Sequence, residues 1–237
     1  MTNLRHGHEL FLIPVGISNV DFSWYLPINV LKTVHTLTAF IAENAKTARY
    51  FLKFVGHPTP LPSIEILELD KHNPAAQKKE IAQFLLQHKM VGLMSEAGMP
   101  CIADPGNQIV RIAHQEGIKV KPLTGPSSIL LALTASGLNG QDFRFIGYLP
   151  AKSEERQSAI LKCEKDSKTG TQLFIEAPYR NDQLMKDLYR FLHVDTMLLV
   201  AYNLTGEDEK ITCQPISWWK TQSIDLGKVP CIFGLGV

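Results

Sequence analysis

From Glu9 onward, short apolar runs alternate with segments whose apolar residues recur every three or four positions, a pattern of strands exchanging with amphipathic helices. Glu9 to Pro14 reads as a strand ending in the turn Pro14-Val15-Gly16-Ile17-Ser18-Asn19, Ile28 to Val34 as the start of a helix, and Thr38 to Ala42 as a second strand. Asn44 to Val55 has helical spacing, with Ala48, Phe51, Leu52 and Val55 on one side and Lys46, Arg49 and Lys53 on another. After the stiff loop Pro58-Thr59-Pro60-Leu61-Pro62 come a strand over Ile64 to Leu69, a helix over Gln77 to His88 and a strand over Val91 to Met94. Such alternation predicts a mostly parallel sheet. The later strands, Phe143 to Gly147, Thr171 to Ile175, Met197 to Ala201, Glu209 to Thr212 and Cys231 to Leu235, predict a second one. The expected fold class is α/β, with two α/β domains over residues 1–123 and 124–237, parting where the strand ending at Pro122 runs into the Gly125-Pro126 loop.

Two loops stand out against this frame. In Met94-Ser95-Glu96-Ala97-Gly98-Met99-Pro100-Cys101-Ile102-Ala103-Asp104-Pro105-Gly106-Asn107 an apolar strand breaks into a Gly/Pro turn just before a helical pattern begins. Gly98 and Gly106 are expected in conformations closed to other residues, Pro100 and Pro105 stiffen the turn, and Asp104 is placed to cap a helix starting near Asn107. An ordinary strand-to-helix connection would use the same punctuation. The pattern recurs: Gly117 to Leu123 reads as a strand, and Thr124-Gly125-Pro126-Ser127-Ser128 opens an apolar helix through Ala135. If the two strands are neighbours, both loops face the crevice where open α/β sheets bind small molecules. Gly125, Ser127 and Ser128 would allow close approach of an anionic group, although serines there also serve as plain helix caps.

Composition narrows the function classes. The 237 residues are 45% apolar and carry a net charge of +1, so the chain is globular and any nucleic-acid contact needs a local basic patch. Cys101, Cys163, Cys213 and Cys231 are scattered, which argues against a zinc site or a disulfide framework and fits a reducing cytoplasm. No charged segment followed by an apolar core opens the chain, and no apolar run nears the roughly 20 residues that span a bilayer, so a cytoplasmic location without membrane insertion is expected. G-x-G-x-x-G after the first strand and the P-loop pattern are both absent, which removes the common dinucleotide and nucleoside-triphosphate readings.

Four ordered runs carry a resemblance. Ser95 to Gly106, Pro122 to Ser128, Gly147-Tyr148-Leu149-Pro150-Ala151-Lys152 and Phe174-Ile175-Glu176-Ala177-Pro178-Tyr179-Arg180 resemble the tetrapyrrole methylase superfamily. Within it they are most similar to the ribosomal RNA small subunit methyltransferase I branch, which methylates a cytidine 2′-hydroxyl. The resemblance runs from about Leu10 to the end. It implies an S-adenosyl-L-methionine-dependent methyltransferase with the cofactor folded in a cleft between two domains, an RNA substrate, a homodimer and no metal. Gly98, Met99, Pro100, Ile102 and Ala103 would cradle the methionine part, Ser127, Ser128, Glu176 and Ala177 would hold the rest, and adenine would lie near Leu204 and Thr205. A tetrapyrrole or other small acceptor, and a non-catalytic cofactor-binding relative, remain the alternatives.

A ribose hydroxyl is a weak nucleophile and gains from a nearby base or cation. Glu43, Lys152, Glu176 and Arg180 are the polar candidates, with Glu43, Lys152 and Arg180 in catalytic roles; Glu43 also reads as a helix N-terminal acid, and Lys152 as part of a solvated helix face. Lys152, Arg156 and Arg180 are expected to carry RNA phosphates. Phe22, Trp24, Tyr25 and Leu26 would line an apolar trough or anchor the dimer. Two stretches depart from the ribosomal branch. Glu43-Asn44-Ala45-Lys46 stands where that branch reads Glu-Asp-Thr-Arg, and Ala201-Tyr202-Asn203-Leu204-Thr205-Gly206 where it reads Ala-Arg-Glu-Leu-Thr-Lys. The last strand also stands where that branch continues into an extension implicated in RNA contact.

Overall fold

Successive residues of a strand point to opposite faces, and the first strand, β1 (Glu9–Ile13), is apolar at Leu10 and Leu12 on one side and at Phe11 and Ile13 on the other. It therefore needs cover on both faces, as buried parallel sheets do. In the computed structural model, which describes residues 7–70 and 76–237, that cover comes from α1 (Ile28–Val34) and α2 (Ala45–Phe54) on one face. The other face carries α3 (Lys78–Gln87) and α4 (Gly106–Gln115). Between them lie β1, β2 (Ala39–Ala42), β3 (Glu65–Glu68), β4 (Met90–Met94) and β5 (Lys119–Pro122), all parallel, in the order β3-β2-β4-β1-β5. Gly92 keeps the sheet closed at its centre: a Cβ there would lie 2.5 Å from the Ile13 side chain and 2.6 Å from Phe40.

The strand order corrects one expectation. β4 and β5 are not neighbours, because β1 lies between them. The connection leaving β1 runs toward β2 and the one leaving β4 runs toward β5, on opposite sides, so the adjacent β4 and β1 form the topological switch where such sheets bind ligands. Asp104 is also not the helix cap. Pro105 occupies that position, and the Asp104 carboxylate accepts from the Gly106 N–H at 2.7 Å instead.

The second sheet holds β6 (Phe143–Tyr148), β7 (Thr171–Ile175), β8 (Met197–Tyr202), β9 (Lys210–Pro215) and β10 (Cys231–Gly236) in the order β6-β7-β10-β8-β9. β6 and β7 are parallel and the other pairs antiparallel. Besides α5 (Ser128–Ser136), three helices belong to this unit: α6 (Ser153–Asp166), α7 (Asn181–Phe191) and α8 (Ile216–Trp219). Ile160, Leu184, Leu188 and Trp219 pack on Phe174, Val200 and Phe233 of the sheet, and the Trp219 ring N–H donates to the Leu198 carbonyl at 2.9 Å. The two units part between Ser127 and Ser128, a few residues after the strand end where the sequence pattern breaks. Residues 124–127 stay with the first unit because Gly125 lies on Pro14, so close that a Cβ would sit 2.1 Å from the proline Cβ.

Candidate active site

In the first unit, three loops leaving the carboxyl ends of β1, β4 and β5 are knitted together. The Val15 N–H donates to the Gly98 carbonyl at 3.0 Å, Gly125 packs on Pro14, and a Cβ at Gly98 would meet the Pro126 carbonyl at 3.4 Å. Gly98 has φ +69°, the left-handed region that glycine enters without penalty. Gly106 differs from expectation in having no positive φ; it is needed for close approach to the Asp104 carboxylate, 2.8 Å from its would-be Cβ, and the close approach expected at Gly125 is taken up by Pro14.

Beyond Gly98 the backbone is held in costly conformations. Cys101 and Ala103 have φ of 72° and 62°, values that side chains with a Cβ rarely adopt and that concentrate at ligand clamps. Asp104 supports this turn from inside: burial raises its carboxyl above its ordinary value, against the pull of the Gly106 N–H, from which its Oδ1 accepts, and of the nearby Cys101 and Ile102 N–H groups. The result leaves Ile102, an apolar residue, 44% exposed next to Ala103, with Met99 half-buried and Pro100 buried behind them. Ser127 is buried and Ser128 half-buried at the start of α5.

Glu43 follows β2 on the same carboxyl edge and is half-buried. The altered segment after it keeps its structural job. Asn44 caps α2, its side chain accepting from the Lys46 N–H at 2.9 Å and the Thr47 N–H at 3.3 Å, and asparagine caps about as well as aspartate. The Ala45 N–H is taken by the Glu68 carboxylate at 2.9 Å.

In the second unit β6, β7 and β8 run in one direction, so Lys152, the 176–180 segment and the 203–205 turn all follow carboxyl ends on one edge of that sheet. The turn is strained: Asn203 and Thr205 have φ of 51° and 66°, the latter an outlier for a β-branched residue. The Thr205 N–H donates to Glu209 at 2.7 Å, and Leu204 is buried. Glu176 and Arg180, read separately from the sequence, form one unit. The Glu176 carboxylate is 1% exposed and accepts from the Arg180 Nε at 2.9 Å and from the Ala177 N–H at 2.7 Å. With the Ala177 N–H spent on Glu176 and its carbonyl on the Arg180 N–H at 2.8 Å, what this segment presents to a ligand is the small Ala177 side chain and the outer edge of the Arg180 guanidinium.

Of the three expected phosphate contacts, Arg156 is a correction. Its guanidinium is 7% exposed, pairs with Asp187 at 2.7 Å and donates to the Ala151 carbonyl at 2.6 Å, so it pins the 149–152 loop from inside and is closed to RNA. Lys152 is 80% exposed and pairs with Glu155 at 3.2 Å, a surface contact worth little. Phe22 and Leu26 are corrected as well: Leu26 is buried and Phe22 packs edge-on to Phe54 at 5.7 Å, while Trp24 is 84% exposed and Tyr25 lines a cavity. That cavity, of about 190 Å³, lies between the β1 loop, α2 and the residues after β4. The sequence reading missed it, together with the hydrogen bond between Thr47 and Glu96 at its rim.

The thiols follow one rule. Burial pushes Cys101 and Cys231 up to about 12 and Cys163 and Cys213 to about 11. The thiolate is the reactive form, so iodoacetamide at pH 8 is expected to modify the native chain far more slowly than the urea-unfolded chain, as counted by mass spectrometry. Because the folded-state values lie above the unfolded ones, the stability these groups contribute is complete below about pH 8.5 and is lost as pH rises toward 11–12.

Comparison with known proteins fixes the family. The Tetrapyrrole (Corrin/Porphyrin) Methylases match residues 9–217, most of the chain. The chain belongs to the tetrapyrrole methylase family. It is similar to the ribosomal RNA small subunit methyltransferase I of Vibrio cholerae, 31% identical over 208 residues covering 88% of this chain and 69% of the relative. The corresponding protein of Halalkalibacterium halodurans is 32% identical over 194 residues, 82% of this chain and 61% of the relative, so the chain spans roughly two thirds of these relatives' length. Among solved structures, diphthine synthase superposes with a TM-score of 0.68 at 14% identity, covering 97% of this chain and 90% of that one. The methyltransferase CobJ gives 0.62 at 14%, covering 97% and 94%. The solved structures show the fold, and the family match with its curated relatives makes the chain a methyltransferase. Among the described residues no helix is long and apolar enough to cross a membrane, and no group of three or more His, Cys, Asp or Glu could hold a metal ion.

Proposed function

We propose that this tetrapyrrole methylase transfers the methyl group of S-adenosylmethionine to a cytidine 2′-hydroxyl of small-subunit ribosomal RNA. The observation that carries the reading is the knitted set of Gly/Pro loops at the topological switch of a parallel sheet, where hydrogen bonding and close packing hold the backbone rigid. The relatives' names supply small-subunit ribosomal RNA as the acceptor, and the cytidine 2′-hydroxyl is what the resemblance to that branch implies. The cofactor brings an activated methyl on a sulfonium, and what remains for the chain is to bind, align and exclude water. Gly98, Met99, Pro100, Ile102, Ala103 and Ser127 of the first unit, and Ser128, Ala177, Leu204 and Thr205 of the second, are the proposed cofactor residues, with the closed Glu176 carboxylate holding Ala177 and Arg180 in place behind them. The left-handed backbone at Ala103 and Thr205 lies within these two sets, and that at Cys101 and Asn203 directly beside them, which supports them. Glu43 is proposed to take the hydroxyl proton, and Lys152 and Arg180 to steady the acceptor's charge. A ribosomal substrate also goes with a cytoplasmic location.

Isothermal calorimetry tests the cofactor: S-adenosylmethionine or S-adenosylhomocysteine should bind at micromolar concentration, and absence of heat at millimolar ligand would overturn the reading. The resemblance further supports a C2 homodimer, with Trp24 and the exposed Leu130 and Leu131 of α5 as apolar anchors. Light scattering should give twice the chain mass at high micromolar concentration; the single-chain mass would rule the dimer out.

A further inference from the structure

The cavity of the first unit has a chemistry of its own, and we propose that it reads one flipped-out cytosine, with Glu96 accepting from the exocyclic amine and the aromatic wall of α2 receiving the ring. The inference rests on the RNA reading above and deepens it to particular residues. Size comes first. Pockets for drug-sized ligands measure about 300–1,000 Å³, so about 190 Å³ suits a single ring.

The wall follows from helix geometry. Tyr50 and Phe54 stand four residues apart on α2 and so share a face, their rings 5° from parallel with centroids 6.3 Å apart. Phe22 braces Phe54 edge-on, at 88° between ring planes, and Tyr50 is 64% exposed. The outcome is an oriented aromatic surface open to solvent, the kind on which unpaired bases stack at about 1–3 kcal/mol each.

The polar end sets the choice of base. Thr47 Oγ1, which also lies 3.0 Å from the Asn44 carbonyl, is within donating distance of Glu96 Oε1 at 2.8 Å, and Glu96 lines the cavity, so its carboxylate offers acceptor oxygens there. An ionised carboxylate only accepts. Cytosine offers an amine donor at its fourth position, whereas uracil offers another acceptor there and is repelled. Adenine carries an amine too, but needs room for two rings. Taking a base out of its stack into such a pocket is how enzymes acting on nucleotides gain access to them.

The test is a binding titration of the full chain with cytidine 5′-monophosphate and with uridine 5′-monophosphate, followed by NMR, for the parent and for Glu96→Gln and Tyr50→Ala. The parent should prefer the cytidine nucleotide about tenfold, a typical worth of one good base contact of about 1.4 kcal/mol. Glu96→Gln should bring the ratio to one or invert it, because its amide can donate to the uracil oxygen. Tyr50→Ala should weaken both nucleotides alike and keep the ratio. An equal ratio in the parent and Glu96→Gln, or unchanged affinities in Tyr50→Ala, overturns the pocket. Calorimetry with S-adenosylmethionine on the same samples separates the two readings: cofactor heat with a flat base ratio sinks the pocket alone, and a base preference without cofactor heat upholds the pocket while methyl transfer falls.

Discussion

Arg156→Ala is expected to destabilise the chain by about 3–5 kcal/mol, because it strands the Asp187 carboxylate, 10% exposed, without its cation. Gln183 would remain on the other oxygen at 3.1 Å and cannot supply a charge. The same change releases the Pro150 and Ala151 carbonyls, which the guanidinium holds at 3.3 and 2.6 Å, so the loop carrying Lys152 should loosen as well. Urea unfolding checks the first effect, and hydrogen exchange of residues 149–152 the second. Replacing both partners with apolar residues, Arg156→Met with Asp187→Leu, should recover most of the stability, since a buried pair repays its desolvation poorly to begin with. A single mutant as stable as the parent would mean that the pair is not buried in solution.

The second large effect separates two glycines that look alike in sequence. Gly98→Val forces a β-branched residue to φ +69° beside the Pro126 carbonyl, and should lower cofactor affinity about a hundredfold with a stability loss of about 1–2 kcal/mol from backbone strain, smaller than the loss at Gly125. Gly125→Val puts side-chain atoms inside Pro14, so it should lower the melting temperature as well as the affinity, an overpacking cost of about 1–3 kcal/mol or more. Calorimetry and thermal melts on the two variants report both quantities. Equal losses of stability would contradict the different roles assigned to these residues.

This contrast shows where the sequence was informative and where it was not. Alternating apolar runs placed β1, β2, β4, β7 and β10 within a residue or two, because a strand buried on both faces leaves few polar positions to blur its ends. The loops after β4 and β5 were legible because Gly and Pro are chosen for local backbone reasons. Whether a given glycine answers a positive φ or a close neighbour depends on a residue far along the chain, Pro14 for Gly125, and no local pattern carries that. Arg156 was misread for the same reason: its partner lies 31 residues away on α7, a helix whose Leu184 and Leu188 spacing was present but unread. The cavity drew on three separate stretches, around Val15, Tyr50 and Glu96, that only the strand order brings together.

The most direct measurement uses isotopically labelled S-adenosylmethionine, the purified chain, and small ribosomal subunits from cells lacking the cytidine ribose methylation. The expected result is close to one labelled methyl per subunit, mapped to a cytidine 2′-oxygen, with none on subunits already modified. Absence of label on the RNA under conditions where the cofactor binds, or label appearing on a tetrapyrrole offered in competition, would contradict it.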